Sequence, residues 1–255
     1  KIFLEEMKLK FDQGQNFFLY LQYSNIHTGI MNDVLKVYDN FSKEFFDNKE
    51  KNEHRYGLLF QDAEKYLSEM MKKISDLGLS ENSIILIMSD HGISVGEKIG
   101  ERAYGAFCYD YTLRTFAYFL TPDLPPVEIP QQVRTVDFMP TILDYLNISQ
   151  DSNYDLIDGE SLLPLIKGEH LPEKIAYSET GNPLQDKKPP KQPNTKSIRT
   201  SQWKLIFNEY DETRELYDLV SDPQENKNLS GTGLEIENTL FKKIKILSNG
   251  GVLKE

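Results

Sequence analysis

The run Ile84-Ile85-Leu86-Ile87-Met88, followed at once by Ser89-Asp90-His91-Gly92, decides how the chain is read. Five consecutive apolar residues, three of them β-branched, predict a short strand buried on both faces, as in the interior of a parallel sheet. The run ends in a turn that carries a carboxylate, an imidazole and a glycine. In open α/β sheets ligands bind at the carboxyl rim of the strands, so Asp90 and His91 stand where a site would be. An aspartate oxygen and an imidazole nitrogen both suit a divalent cation. A capping aspartate beside a solvated histidine would give the same pattern.

Upstream, Asn16-Phe17-Phe18-Leu19-Tyr20-Leu21-Gln22-Tyr23 is a second strand candidate that runs into a polar loop, Ser24 to Gly29, containing His27. Parallel strands would bring His27 to the same rim as Asp90 and His91. Between the two strands, apolar residues at 56, 59, 60, 63, 67, 70, 71, 74 and 77 predict an amphipathic helix from His54 to Leu77, stopped by Gly78. Strand, helix, strand is a βαβ crossover and predicts a helix-covered parallel sheet.

Downstream, Gly92 to Gly105 is a loop long enough to fold over a site, and it carries Glu97, Lys98, Glu101 and Arg102. Arg114 to Leu120 is a third strand, and Asp137 can cap a helix from Phe138 to Leu146 with Pro140 in its first turn. Residues 149–195 are loop-rich, with a basic, proline-containing tract over 186–193. Short patterned strands at Ser197–Thr200, Trp203–Asn208 and Glu215–Leu219, then an amphipathic helix at Leu234–Leu247, predict a small antiparallel subdomain. The expected architecture is α/β: a mostly parallel sheet between helical layers over residues 1–170, and a small C-terminal α+β subdomain over 171–255.

Of the 255 residues, 39% are hydrophobic and 27% charged, an ordinary globular balance. The net charge of −11, from 40 acidic against 29 basic residues, argues against a nucleic-acid surface. No apolar run approaches a membrane span. The single cysteine, Cys108, sits in Phe107-Cys108-Tyr109 and reads as a buried structural thiol. Three Asn-x-Ser triplets, at Asn40, Asn147 and Asn228, fix no compartment. The sequence begins at Lys1 without a methionine, so the absence of a leader leaves the compartment open.

Taken in order, these segments resemble the later portion of the sulfatase family, in the alkaline-phosphatase-like superfamily. Phe17 through His27 resembles a family strand ending in a sulfate-contacting histidine, and Ser89-Asp90-His91-Gly92 its metal-binding turn. Gly96-Glu97 and Tyr109-Asp110 with Arg114 follow as its Gly-Glu and Tyr-Glu…Arg segments do. Asp137-Phe138-Met139-Pro140-Thr141 is similar to its Asp-x-x-Pro-Thr helix start, and Asp158-Gly159-Glu160-Ser161-Leu162 to its Asp-Gly-x-Ser-Leu. Ile198-Arg199-Thr200, Trp203-Lys204-Leu205, Glu215-Leu216-Tyr217-Asp218-Leu219, Asp222-Pro223-Gln224-Glu225 and Asn228-Leu229 resemble its C-terminal subdomain.

The resemblance implies an alkaline-phosphatase-like α/β/α sandwich and metal-assisted hydrolysis of a small-molecule or carbohydrate sulfate ester. It implies a divalent cation, calcium first, held in part by Asp90 and His91, with His27 contacting the sulfate and Arg102 reaching into the site. The alternatives are a phosphodiesterase or phosphoryl transferase of the same superfamily, with zinc or manganese in place of calcium, and a non-catalytic relic or binding module. The family's nucleophile, a formylglycine made from the first residue of Cys/Ser-x-Pro-x-Arg, has no counterpart in these 255 residues, nor has its early Asp-Asp metal pair. The expected partner for those functions is an N-terminal segment of the same protein, and this chain alone is expected to be inactive. Where the family usually carries a substrate-contacting lysine, this chain has Gly105.

Overall fold

The structure, a computed structural model, describes residues 2–32, 43–100, 104–151, 153, 157–181, 194–251 and 253. They form two compact units, 1–105 with 116–123, and 106–115 with 124–255.

In the first unit, α1 (Ile2–Asp12), α2 (Asn25–Ile30), α3 (Lys43–Asp47) and α4 (Lys49–Asp76) precede β1 (Ile85–Met88), and β2 (Ala117–Leu120) completes it. Helix α4 is the predicted amphipathic helix, extended at its N-terminus. It ends where expected: Gly78 takes the left-handed φ of 65°, and the Leu79 amide returns to the Ile74 carbonyl at 3.1 Å. Ile26 and Ile30, one turn apart on α2, pack with Phe45 of α3 and with Tyr56 and Leu59 of α4, and Ile93 and Tyr104 join the same cluster. Gly29 allows the α2–α4 approach, because a Cβ there would lie 2.7 Å from Leu59 Cδ1.

Sheet pairing in this unit differs from the expectation. β1 pairs with β2 antiparallel, Ile85 opposite Leu120 and Met88 opposite Ala117. Every ladder among the described residues is antiparallel, so the βαβ pair predicted across α4 is not formed there. Asn16 to Tyr23 joins no ladder, and Phe18 is 86% exposed. A run that is nearly all apolar, with only Asn16 and Gln22 polar at its ends, has no polar side to turn outward and needs cover on both faces and a hydrogen-bonded neighbour; no neighbour pairs with it among the described residues. The polar stretch after it, read as a loop, is instead the short helix α2, so His27 sits on a helix. The third predicted strand is shorter than expected, Ala117–Leu120.

The second unit is built on a four-stranded antiparallel meander, β3 (Ala176–Thr180), β4 (Thr195–Arg199), β5 (Trp203–Asn208) and β6 (Thr213–Asp218), with α5 (Asp110–Leu113), α6 (Phe138–Tyr145), α7 (Leu163–Ile166) and α8 (Glu235–Ser248). The period-2 alternation of β5 sorts its side chains. Leu205 and Phe207 face α8, packing with Ile198, Leu216, Leu240 and Ile244. Ile206 lies on the opposite face with Tyr217, Leu219 and Tyr109. Strands β4 to β6 and α8 match the predicted subdomain within two residues, whereas β3 lies in the stretch read as loop.

Candidate functional site

Strand β1 carries its pairing with β2 up to the start of the turn. The Ser89 amide donates to the Phe116 carbonyl at 3.2 Å, and the Phe116 amide donates to Ser89 Oγ at 3.3 Å, so pairing with β2 persists to the residue before Asp90. The Asp90 carboxylate accepts the His91 amide at 3.0 Å. His91 Nδ1–H donates to the Gly92 carbonyl at 2.6 Å, which selects the tautomer whose Nε2 lone pair is free for a ligand. That Nε2 lies 3.7 Å from Asp90 Oδ2, and both side chains are open to solvent, Asp90 at 78%. With metal–ligand bonds of about 2.0–2.4 Å, one divalent cation could touch both atoms after small rotamer changes. Among the described residues no group of three or more His, Cys, Asp or Glu side chains is placed to hold a metal. The residues present therefore fit part of a coordination shell.

His27 and His91 are brought to the same aromatic ring. The His27 imidazole stacks on Tyr104, centroids 4.5 Å apart at 19°, and His91 meets the Tyr104 ring edge-on at 6.0 Å and 85°. Tyr104 Oη donates to the His27 carbonyl at 2.9 Å. Burial raises the Tyr104 phenol above its usual value, keeping it a donor. Reasoning from sequence missed Tyr104; its one signal was its place in the glycine-punctuated loop that ends at Gly105. Arg102 lies outside the described residues.

The loop before Tyr104 has its own frame. Glu97 accepts Ser94 Oγ at 2.8 Å and the Val95 and Gly96 amides at 2.9 and 3.2 Å. The fully buried Asn52 of α4 donates to the Phe45 and Val95 carbonyls, each at 3.0 Å. The Gly-Glu piece is thus a turn that seats the loop, with its carboxylate committed to the backbone.

In the second unit the motif residues converge on a buried charge cluster. Lys204 Nζ is fully buried and lies 2.8 Å from both Asp110 Oδ1 and Glu225 Oε1. Arg199 reaches Asp110 at 2.9 Å and donates to Gln132 Oε1 at 2.5 Å, and the Asp110 amide donates to Glu225 Oε2 at 2.7 Å. Burial opposes ionisation of Asp110, but Lys204 and Arg199 outweigh it and hold the group below the usual carboxylate range. Glu225 goes the other way: burial pushes it up, and Lys204 offsets this only in part. Glu215 accepts the Tyr109 hydroxyl at 2.7 Å and the Tyr217 hydroxyl as well. Cys108 is buried beside them, without a disulfide, as the sequence suggested.

The two central motifs form a clasp. Asp137, 3% exposed, accepts the Arg134 amide at 2.8 Å, the Arg134 guanidinium at 2.7 Å and the Glu160 amide at 3.0 Å. Thr141 Oγ1 donates to the Asp137 carbonyl and accepts the Leu162 amide. Gly159, at φ 92°, passes the Val136 carbonyl so closely that a Cβ would lie 2.6 Å from its carbon.

Comparison with known proteins places this arrangement. Residues 2–148 match the family model described as Sulfatase, and residues 105–249 match that of N-sulphoglucosamine sulphohydrolase, C-terminal. The chain is 26% identical over 209 residues to Arylsulfatase K of Bos taurus, covering 76% of this chain and 36% of the relative. It is 26% identical over 195 residues to Choline-sulfatase of Rhizobium meliloti (strain 1021), covering 72% and 35%. The chain therefore spans little more than a third of the length of these relatives. Among solved structures it resembles a protein in complex with its substrate D-glucosamine-2-N,6-O-disulfate (25% identity, TM-score 0.55, 76% of this chain and 39% of that one). It also resembles a 2-O GAG sulfatase in fold (21% identity, TM-score 0.63, 92% and 53%). No helix among the described residues is long and apolar enough to cross a membrane.

Proposed function

The chain belongs to the sulfatase family, with an alkaline-phosphatase-like α/β fold, and from that premise we propose that the whole protein hydrolyses sulfate esters with a divalent cation held in part by Asp90 and His91. The observation that carries the metal assignment is the paired presentation of Asp90 Oδ2 and His91 Nε2 at the end of β1, with the other imidazole nitrogen committed to Gly92. The cation, calcium in this reading, would offset charge developing on the ester oxygens when bound. His27 hydrogen-bonds the sulfate and, when protonated, supplies a proton to the leaving oxygen. Arg102 adds a fixed positive charge for the anion. The substrate class is a small-molecule or carbohydrate sulfate ester, in keeping with the sugar disulfate bound by one neighbour.

The nucleophile, a formylglycine, belongs to a further N-terminal segment of the same protein, which also completes the metal shell; residues 1–255 alone do not turn over substrate. In functional terms residues 1–170 are the later part of the catalytic domain and 171–255 its small α+β subdomain. A second reading, phosphoryl chemistry with zinc or manganese, is favoured by one observation: Gly105 offers no side chain where the family's lysine contacts the sulfate.

The test is calcium titration and aryl-sulfate turnover by the full-length protein and its Asp90→Ala variant. Loss of both supports the reading, and unchanged calcium affinity and turnover would end it. Faster hydrolysis of a phosphodiester than of a sulfate, with zinc, would move the protein to the second reading.

A further inference from the structure

We propose that Tyr104 is the positioning residue that holds His27 in its working orientation at this site, an inference that rests on the reading of His27 as the sulfate-contacting group. His27 is exposed, and a solvent-exposed imidazole has no rotamer fixed by packing. Its orientation comes from Tyr104 in two ways. The rings stack at 4.5 Å and 19°, and the Tyr104 hydroxyl donates to the His27 carbonyl at 2.9 Å. The stack restrains the ring plane, and the hydroxyl ties Tyr104 to the end of α2, where the His27 carbonyl also accepts the Met31 amide.

Tyr104 can do this because it is itself rooted. Its ring packs against the cluster around Ile30 and Phe45, to which Ile26, the neighbour of His27, and Ile93, two residues past His91, also belong. The apolar neighbours of both histidines therefore enter the same core as the ring between them. The edge contact with His91 puts the metal-side turn against that ring too. An aromatic ring is well suited to hold another ring, because it has only two rotatable torsions and a stacked arrangement restrains its neighbour with little entropy left to lose. Reactions that depend on near-attack geometry lose rate steeply with small misplacement.

The proposal separates two losses at one position. Tyr104→Phe keeps the stacked ring and removes only the hydroxyl, whereas Tyr104→Leu keeps apolar bulk and removes the ring. In the full-length protein, kcat for an aryl sulfate should stay within about threefold of wild type in Tyr104→Phe and fall about tenfold or more in Tyr104→Leu, with KM moving less. In the double variant Tyr104→Leu/His27→Ala the loss should match that of His27→Ala alone, because Tyr104 acts through His27. Losses that multiply would mark a merely structural role and overturn the proposal.

A direct readout makes the outcome independent of the reaction. With histidine-selective labelling, the His27 ring signals, identified by their disappearance in His27→Ala, carry the ring-current shift of the stacked tyrosine. They should move to unstacked positions in Tyr104→Leu and stay in Tyr104→Phe. Unmoved signals in Tyr104→Leu would overturn the positioning role. Moved signals together with full activity in His27→Ala would leave the stack standing, sink the catalytic reading of His27, and with it the functional part of this proposal.

Discussion

Replacing Lys204 by methionine removes the cation that two buried carboxylates share. Methionine matches the stem in length and leaves the β5 backbone untouched. Asp110 keeps Arg199 at 2.9 Å, so its loss is partial; Glu225, 1% exposed, loses its cation. Removing one member of a buried ion pair costs about 3–5 kcal/mol, and with Arg199 still in place the low end, about 3 kcal/mol, is expected. For a unit of this size, with a urea m-value of about 2 kcal/mol/M, that is a midpoint shift of about 1.5 M at pH 7. The chain's one tryptophan, Trp203, adjoins the substituted residue in β5, so its fluorescence follows unfolding of this unit specifically. The pH dependence has a definite sign. Glu225 is raised above the ordinary 4.5 even with Lys204 present, and losing the lysine raises it further. A carboxyl raised in the folded state contributes stability below its unfolded pKa and loses it as pH rises through the folded one. Asp110, lowered in the native protein, contributes stability that the wild type loses as pH falls through its folded pKa. The Glu225 effect shrinks the deficit of Lys204→Met as pH falls from 7 toward 4.5, and the Asp110 effect shrinks it further only once pH falls below the ordinary 3.8 of that carboxyl. Adding Glu225→Gln should restore more than half of it at pH 7. A midpoint shift below about 0.3 M, or a deficit that grows on acidification, would refute the account.

Three further outcomes follow from the same structure. Gly159→Ala puts a Cβ 2.6 Å from the Val136 carbonyl carbon at a left-handed φ; thermal unfolding should show a loss of about 2 kcal/mol or more, since backbone cannot yield as a side-chain tip can. Gly29→Ala crowds the flexible end of Leu59, so a smaller loss of about 1–2 kcal/mol is expected, read as a lower melting temperature of the first unit. Asp90→Ala should leave metal-free stability within about 0.5 kcal/mol, since the side chain is exposed; on the proposed calcium reading the wild-type full-length protein should gain melting temperature with added calcium and the variant should not.

How far the sequence could be read depended on whether a segment carries its own instructions. Helix α4 announced itself through period and a glycine stop, and β4 to β6 through alternation, because local pattern and tertiary environment agree there. Asn16–Tyr23 did not behave as its composition suggested, since strand formation is settled by a ladder partner and not by the run itself. β3 was missed because Ala176-Tyr177-Ser178-Glu179-Thr180 has too few apolar residues to signal; it is recruited by β4. For the proposed site, Asp90 and His91 are legible in the sequence only as ligand types that follow a strand. Tyr104 was not, because an aromatic in a loop advertises no role until the two histidines are seen against it.

The segments that carried the family resemblance divide by what they do. Arg199, Lys204 and Glu225 share one ion-pair cluster with Asp110; Tyr217 and Glu215 share a hydrogen bond beside it; Asp137, Thr141 and Gly159 close a backbone clasp. All of these are buried or engaged with the chain's own groups, and none is left over for a substrate. Such residues specify a scaffold, because a buried charge tolerates only the partner that neutralises it and a close glycine tolerates only hydrogen. The residues assigned to chemistry are the opposite kind: Asp90 and His91 are exposed and weakly tied, and His27 is held chiefly by one ring. It follows that fold and reaction can be perturbed separately in this protein. On the proposed metal reading, a variant at Lys204 or Gly159 that keeps its fold should still bind the cation, and one at Asp90 that cannot bind it should keep its fold. If substitution at Asp90 instead lowered metal-free stability as much as substitution at Lys204, the aspartate would be a structural cap and the metal site would have to be sought elsewhere.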